Sequence, residues 1–364
     1  MARIAEILLH RLSLPLTIPY KVSLHEFHSF DPIVVEMIDD EGRSGWGEAE
    51  ILAGYGDETP EGGWRYCRAM AERLVGRDPA EIEPLLSSSM AANSHAASVL
   101  VAAAEMLQGD PALDLETDAA IPLLTPVSAT DPSQVAEEVA AKLAAGFRTF
   151  KVKVGFEVKG DLERVAVVQR AVAGRALLRL DANQAFTSEE GREFAAALDP
   201  HGIELFEQPC DKDDWSANAA VARVSRVPIM LDESIYGPAD IRRAATLPGV
   251  GFVKLKLKKL GGLRRLIAAL KLIRELGLKP VLGDGTASDI ACWIEACAGR
   301  NLIVGAGEMN GFLKLREGLF LPPLPCVAGE IRLPAGYRPA IDRAALARAT
   351  VARERYEAAA MTAA

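Results

Sequence analysis

Three acidic residues stand where short apolar segments end, and their placement could create a metal site. Asp181, Glu207 and Asp232 each close such a segment. The carboxyl ends of neighbouring parallel strands, about 4.8 Å apart, meet at one edge, so we expect the three carboxylates to converge. Their repulsion favours a hard divalent cation with oxygen ligands, Mg²⁺ first and Mn²⁺ second. Alternatively, each acid caps the helix that follows; three in succession favour the metal.

Lysines form a second pattern. Lys151 and Lys153 lie two residues apart on one predicted strand, and Lys254, Lys256 and Lys258 repeat this spacing on another. Side chains two residues apart face the same way, and an unpaired buried lysine is costly. In a barrel of eight strands these two strands stand on opposite sides, so one lysine from each would flank a substrate. The alternative places the lysines on the outer face, paired with helix acids.

Together these groups predict proton abstraction next to a carboxylate. Such a proton is weakly acidic, and its removal gives an enediolate whose charge a divalent cation stabilises. A lysine near a dication and other lysines should have a lowered pKa, which makes it a usable base.

The elements that must position these residues alternate from about residue 121. Apolar segments at eight places predict strands, with amphipathic stretches between them: residues 121–126, 149–154, 176–180, 203–206, 228–231, 251–257, 280–282 and 301–304. This alternation is typical of a parallel β/α barrel. An open doubly wound sheet has the same local pattern, but residues 125–129 (TPVSA) are not its glycine-rich phosphate loop.

The first third of the chain differs. It predicts strands at 3–14, 32–39 and 45–49 and helices at 64–74 and 91–107, the pattern of an α+β domain. We therefore predict an α/β fold: a modified β/α (TIM-type) barrel with an N-terminal α+β capping domain. The expected divisions are 1–118 for the capping domain, 119–325 for the barrel, and 326–364 for a segment with a helix from Asp342 that packs back on the capping domain.

Composition excludes several classes of function. The net charge of -9 argues against nucleic acid as a partner. Glu6, His10 and Arg11 interrupt the apolar N-terminal run, so we expect no signal peptide, and no apolar segment is long enough to span a membrane. The five cysteines show no zinc spacing and indicate reduced thiols in the cytoplasm.

The motifs in order resemble the enolase superfamily, within it the muconate-cycloisomerase-like group (mandelate racemase/muconate lactonizing enzyme). The similar stretches, which span nearly the whole chain, are residues 45–48 (GWGE), 151–153 (KVK), 181–184 (DANQ), 207–209 (EQP), 232–234 (DES) and 256–262 (KLKKLGG). The resemblance implies that Lys153 and Lys256 are the acid/bases and that Asp181, Glu207 and Asp232 bind Mg²⁺. The mandelate-racemase subgroup uses a late histidine; here no histidine falls on strands six to eight.

Substrate contacts follow from the same resemblance, which implies that loops of the capping domain set specificity. The candidates are Lys151, Asn183, Glu308, Tyr20 and Tyr55. Residues 308–310 (EMN) stand where dipeptide epimerases of this group carry Asp-x-Asp, so dipeptide specificity does not follow. His25 and His28 are surface or loop residues in one interpretation and substrate contacts in the other; Asp284 and Asp289 have no assigned role.

We therefore predict a Mg²⁺-dependent isomerase, either a racemase/epimerase or a cycloisomerase, that acts on a small carboxylate. A lyase or dehydratase that shares the first step, and a non-catalytic binding barrel, are the alternatives. We expect a homo-oligomer, and no nucleic-acid or membrane partner.

Overall fold

The computed structural model describes residues 2–21, 26–53 and 57–358. A strand-rich N-terminal part covers one end of a curled parallel sheet that is surrounded by helices. This is the predicted capping domain and TIM-type barrel. Among the described residues, no helix is long and apolar enough to cross a bilayer.

The capping domain contains a four-stranded sheet, a hairpin of β2 and β3, and three helices. The sheet has the order β18-β1-β4-β5, in which β18 is the C-terminal strand Thr350–Glu357. The core of the domain lies between one sheet face and the helices. The elements are β1 (Ile4–Leu12), β2 (Leu14–Lys21), β3 (Glu26–Phe30), β4 (Ile33–Asp39), β5 (Ser44–Ala49), α1 (Pro60–Leu74), α2 (Ile82–Leu86) and α3 (Ser94–Leu107). The three strands and two helices predicted here are present; the β2–β3 hairpin was not predicted.

Two glycines in β5 allow α3 to lie directly on the sheet. A Cβ atom on Gly45 would fall 2.1 Å from the carbonyl oxygen of Ala103, and one on Gly47 would fall 1.9 Å from that of Val99. No side chain fits at these distances. The GWGE stretch is therefore explained by sheet–helix contact, and it ends at Glu48, which reaches the barrel.

The barrel begins after a short strand, β6 (Ala119–Pro122), and has seven parallel strands in chain order. They are β7 (Thr125–Val127), β8 (Thr149–Lys153), β9 (Leu177–Asp181), β10 (Ile203–Glu207), β11 (Ile229–Leu231), β12 (Val250–Leu255) and β13 (Lys279–Leu282). The helices are α4 (Pro132–Ala144), α5 (Val158–Val172), α6 (Ser188–Ala197), α7 (Trp215–Val224), α8 (Pro238–Ala244), α9 (Leu257–Leu260), α10 (Leu263–Glu275) and α11 (Asp289–Gly299).

Two strand predictions were wrong at the point where the barrel closes. The segment 121–126 divides between β6, outside the barrel, and β7, within it. Residues 301–304 form no strand, and Val304 is 79% exposed, so its apolar character does not mark the interior. Closure comes later, where Gly307 N–H donates to Pro122 O and Glu308 N–H donates to Leu282 O, both at 2.8 Å. This closing segment has small and acidic residues that carry no strand pattern.

The C-terminal residues return to both parts of the molecule. Their elements are β14 (Phe320–Leu321), β15 (Cys326–Val327), β16 (Glu330–Leu333), β17 (Ala340–Ile341), α12 (Arg343–Ala349) and β18 (Thr350–Glu357). β16 pairs with β6, whereas β18 pairs with β1 and forms the edge of the capping sheet. The predicted helix begins as expected after Asp342, whose side chain accepts from two backbone N–H groups, but it ends at Ala349. The division at residues 118 and 325 stays a prediction.

Acids of the capping domain close the N-termini of barrel helices. Glu48 accepts from Ser288 N–H at 2.6 Å and Ala291 N–H at 2.9 Å, at the start of α11. Glu105 accepts from Leu263 N–H at 2.6 Å, at the start of α10. Because the first N–H groups of a helix lack partners within it, these contacts fix the capping domain on the barrel.

Candidate active site

The strand register places three of the predicted site residues at one level. Lys153 of β8 pairs with Asp181 of β9, and Asp181 pairs with Glu207 of β10. Asp232 directly follows β11, the next strand of the sheet. All three acids are essentially buried, with exposed fractions of 0%, 1% and 1%. The structure thus brings the three carboxylates to one end of the barrel.

A small apolar cluster forms the floor beneath them. Leu205, Met230 and Phe252 lie two residues before Glu207, Asp232 and Lys254 in their strands, and they pack with Val281. Side chains two residues apart in a strand share a face. The barrel interior is therefore apolar at its base and charged at its carboxyl end.

Turn residues after the strands hold the acids in place. Asn183, with φ of 43°, donates its backbone N–H to Asp181 Oδ1 at 2.9 Å. Asparagine tolerates this left-handed conformation better than most residues do. Gln208 after β10 is fully buried, and its Oε1 accepts from Asp232 N–H at 3.0 Å. Asn183 therefore positions the acid of its own strand, and Gln208 positions the acid that follows the next strand.

The two predicted acid/base lysines meet this acidic cluster from opposite sides. Lys153 Nζ lies 2.5 Å from Asp181 Oδ2 and also donates to Asn183 Oδ1. Lys256 follows β12, and its Nζ lies 2.9 Å from Asp232 Oδ2. Three strands, β9, β10 and β11, separate β8 from β12 in the sheet. Both side chains are 18–19% exposed, so each remains accessible from the barrel mouth.

Two further lysines lie one layer deeper. Lys151 Nζ is 2.9 Å from Asp181 Oδ2, from Glu207 Oε2 and from Glu308 Oε1. Lys254 Nζ is 3.0 Å from Glu207 Oε1 and 2.5 Å from Glu308 Oε2. Glu308 of the closing segment thus binds both deep lysines. Its carboxylate thus contacts two lysine side chains of the barrel.

The chemistry of the donor set, three buried carboxylates at one end of the barrel, is of the oxygen type that a hard divalent cation prefers. Their oxygens do not converge on one empty point, contrary to our expectation, because lysine ammonium groups lie between them. Within residues 2–21, 26–53 and 57–358, no three His, Cys, Asp or Glu side chains are already arranged as metal ligands. Asp181, Glu207 and Asp232 are the residues that could hold such a cation.

The pKa of Lys256 shifts in the direction opposite to the one expected. Burial alone would lower the pKa of Lys256, but the carboxylate of Asp232 outweighs it and raises the pKa above its ordinary value. Burial raises the pKa of Glu233 to about 7, and Asp232 adds to the effect. A lowered lysine pKa requires a dication nearby, whereas here the Asp232 carboxylate acts on Lys256 directly.

The charged residues line a cavity of about 70 Å³ at the carboxyl end of the barrel. Its wall includes Tyr20 from the capping domain, whose ring lies 4.7 Å from Lys314 Nζ. Another part is an ion pair between Lys258 and Asp284, with Nζ and Oδ2 2.5 Å apart. Asp284 thus pairs with a lysine in the cavity wall, a partner that the sequence did not reveal.

Other candidates lie elsewhere. Tyr55 and His25 fall outside the described residues. His28 is exposed and lies 3.7 Å from Glu26. Asp289 is buried and accepts from Leu319 N–H and Phe320 N–H, both at 2.8 Å, so its contacts are to backbone away from the cavity.

Several cavity residues were not predicted, among them His95, Tyr236 and Lys259, and Lys259 Nζ lies 3.1 Å from Asp232 Oδ1. His95, in the first turn of α3, is 6% exposed and lines the same cavity as Lys153 and Lys256. Neither of its ring nitrogens has a hydrogen-bond partner among the described residues. A helix position in the capping domain gives no sequence signal for this contact, since the docking of the two domains creates it.

Comparison with known proteins identifies the family. The model of the family described as enolase C-terminal domain-like matches residues 134–339, which is more than half of the chain. The chain belongs to this family. It falls in the enolase superfamily, in the group of mandelate racemase and muconate lactonizing enzyme.

Individual relatives agree with this family assignment. An L-Ala-D/L-Glu epimerase of Bacillus subtilis is 29% identical over 70% of this chain and 73% of its own length. An L-Lys-D/L-Arg epimerase of Methylococcus capsulatus is 30% identical over 72% and 76%. A dipeptide epimerase from Cytophaga hutchinsonii, solved with Mg and the dipeptide D-Ala-L-Val, superposes with a TM-score of 0.87 at 22% identity, covering 97% of this chain and 99% of that one. This chain is accordingly an enolase-superfamily isomerase.

Proposed function

We propose that this chain moves the α-proton of a small carboxylate, with Lys153 and Lys256 as two opposed acid/bases. The observation that carries the proposal is the meeting of these two lysines, from β8 and β12, with Asp181 and Asp232 in one cavity. A pair of bases on opposite faces of the α-carbon lets one remove the proton and the other return it. The epimerases among the relatives support this reaction class.

We propose Mg²⁺ as the cofactor, with Mn²⁺ as a substitute, held by Asp181, Glu207 and Asp232. The supports are the oxygen donor set and the Mg in the dipeptide epimerase structure. When bound, the cation would stabilise the charge that develops on the substrate carboxylate. A cation on Asp232 would also withdraw that carboxylate from Lys256, and the pKa of the lysine would then fall toward the range of a base.

The chain's own residues supply the remaining steps. Lys153 is oriented by Asn183, whose amide donates to Glu233 Oε1 at 2.9 Å. Lys151, a candidate substrate contact from the family resemblance, lines the same cavity and is the candidate partner of the substrate carboxylate. Tyr20 and the residues around Asp284 would limit the size of the group carried by the α-carbon.

The test is proton exchange in D₂O. The protein with Mg²⁺ is incubated with a panel of dipeptides, N-acyl amino acids and short hydroxy acids, and the α-proton signal is followed by NMR. We expect loss of that signal and inversion at the α-carbon for at least one carboxylate, abolished by chelation and restored by Mg²⁺. An alkene or oxo-acid product would indicate the lyase instead. No exchange with any carboxylate, together with no metal binding, would indicate the non-catalytic barrel.

The substrate class, a small-molecule carboxylate, is part of this proposal. Assembly into a homo-oligomer and residence in the cytoplasm stay predictions. All five cysteines are free thiols, which is compatible with a reducing compartment.

A further inference from the structure

Lys254 is a lysine whose charged side chain is buried inside the barrel, which is unusual. Its side chain is 2% exposed and lies inside the barrel, one layer below Lys256. Its Nζ contacts two of the three metal-site acids, Glu207 Oε1 at 3.0 Å and Asp232 Oδ2 at 3.4 Å. A positive charge therefore already lies where these two carboxylates would face a cation.

Glu308 is a further carboxylate that pairs with the Lys254 ammonium group. Among the acids that bind the deep lysines, it is the one outside the predicted metal set. One of its oxygens lies 2.5 Å from Lys254 Nζ, and both lie within 3.0 Å of Lys151 Nζ. Four carboxylates and five ammonium groups, those of Lys151, Lys153, Lys254, Lys256 and Lys259, are thus interleaved in this cluster.

We propose that the Lys254 ammonium competes with the divalent cation for Glu207 and Asp232, and that Glu308 favours cation binding by holding Lys254 on its own carboxylate. This inference rests on the metal site proposed above. Entry of a dication adds two charges next to an ammonium group that cannot leave the barrel. The repulsion is smallest when that group turns fully toward Glu308, so the two residues should act on metal affinity with opposite sign.

The competing explanation is structural. Lys254 would then only balance buried acids and fill space, and its removal would reduce stability without changing the affinity for the metal. The two explanations differ in a quantity that needs no substrate, namely the dissociation constant of the metal itself.

The experiment is calorimetric titration of the full chain with Mn²⁺ and with Mg²⁺ at fixed ionic strength. The concentration of free Mn²⁺ is measured in parallel by electron paramagnetic resonance. Lys254→Gln should bind Mn²⁺ at least about tenfold more tightly than the wild type, and Glu308→Gln at least about tenfold more weakly. In the Lys254→Gln background, Glu308→Gln should cost less than it does alone, because one of the two lysines that Glu308 holds is then absent.

Lys258→Gln is the matched control. It removes the same charge from the same cavity, but Lys258 binds Asp284 and the Glu50 carbonyl oxygen instead of the metal-site acids. We expect its Mn²⁺ affinity to stay within about threefold of the wild type, since Lys258 contacts none of the three metal-site acids. Circular dichroism and thermal unfolding verify that each variant is folded, and Lys254→Met replaces Lys254→Gln if the latter does not fold.

The outcomes separate this inference from the proposed function. If the wild type binds Mn²⁺ and Lys254→Gln binds it no more tightly than Lys258→Gln does, the competition is wrong and the metal site stands. If neither the wild type nor Lys254→Gln binds Mn²⁺, the metal site itself is wrong and the inference fails with it. A wild type that binds only weakly beside a tightly binding Lys254→Gln would be the strongest support.

Discussion

Glu48 links the capping domain to the barrel through a buried carboxyl, and its replacement by glutamine has a calculable pH dependence. Burial raises the pKa of this carboxyl from its ordinary value of 4.5 to about 7. Between those two pH values the folded protein therefore holds a proton that the unfolded chain has released. The stability from this group is fully present below about pH 4.5 and is lost as the pH rises through about 7.

The magnitude follows from the size of that change. The rise of the Glu48 pKa from 4.5 to about 7 corresponds to a change of about 3 kcal/mol in the free energy of unfolding between these two pH values. The glutamine of Glu48→Gln does not titrate, and the substitution lowers the free energy of unfolding by an amount that does not depend on pH. One amide N–H of the glutamine would face a backbone donor, Ser288 N–H or Ala291 N–H, which should cost about 1–3 kcal/mol. The free energy of unfolding of the wild type should therefore exceed that of the variant by the largest amount at low pH.

The assay is urea unfolding of the wild type and Glu48→Gln at several pH values between 4.5 and 8, followed by tryptophan fluorescence. The readout is the difference in the free energy of unfolding between the two proteins, because the contributions of other buried carboxyls are the same in both. We expect the advantage of the wild type to shrink by about 3 kcal/mol across this range. An advantage that stays constant or grows with pH would refute the reasoning. Glu105→Gln is a parallel case, since burial raises the pKa of Glu105 to about 7 as well.

Two further substitutions test the packing. Gly47→Ala should destabilise the protein by about 3 kcal/mol or more in urea unfolding, because the added Cβ would overlap Val99 O, whereas Gly237→Ala, with nothing within 4 Å, should change stability by about 0.5 kcal/mol or less. Arg179→Met should cost about 3 kcal/mol because it leaves Glu204, 2.6 Å from Arg179 Nε, without its partner. Adding Glu204→Gln should recover part of that loss; no recovery would show that the ion pair is not the cause.

The sequence predicted the parts of the site that depend on strand ends. The positions of Asp181, Glu207 and Asp232 follow from where apolar segments stop, and parallel strands bring those ends together. The spacing of Lys151 and Lys153 likewise placed both side chains on one face of β8, and both contact Asp181. Local periodicity is enough for such predictions, because strand pairing converts it directly into proximity.

Contacts between distant segments could not be predicted in this way. The barrel closes through Gly307 and Glu308, where backbone hydrogen bonds replace a recognisable strand pattern. His95 reaches the cavity only because α3 docks on the barrel, with Ser98 Oγ 3.1 Å from Leu257 O. The position of Lys254 among the acids depends on how all barrel strands are staggered, which no single segment encodes.

The most direct test of the two-base account uses Lys153→Ala and Lys256→Ala with each enantiomer of a carboxylate that the wild type racemises. The rate of α-proton exchange with D₂O is measured separately for each enantiomer. Because each lysine faces one side of the α-carbon, each variant should exchange the proton of one enantiomer and lose exchange with the other, in opposite senses for the two variants. If both variants lose exchange with both enantiomers equally, or if either keeps both, the assignment of Lys153 and Lys256 as opposed acid/bases is contradicted.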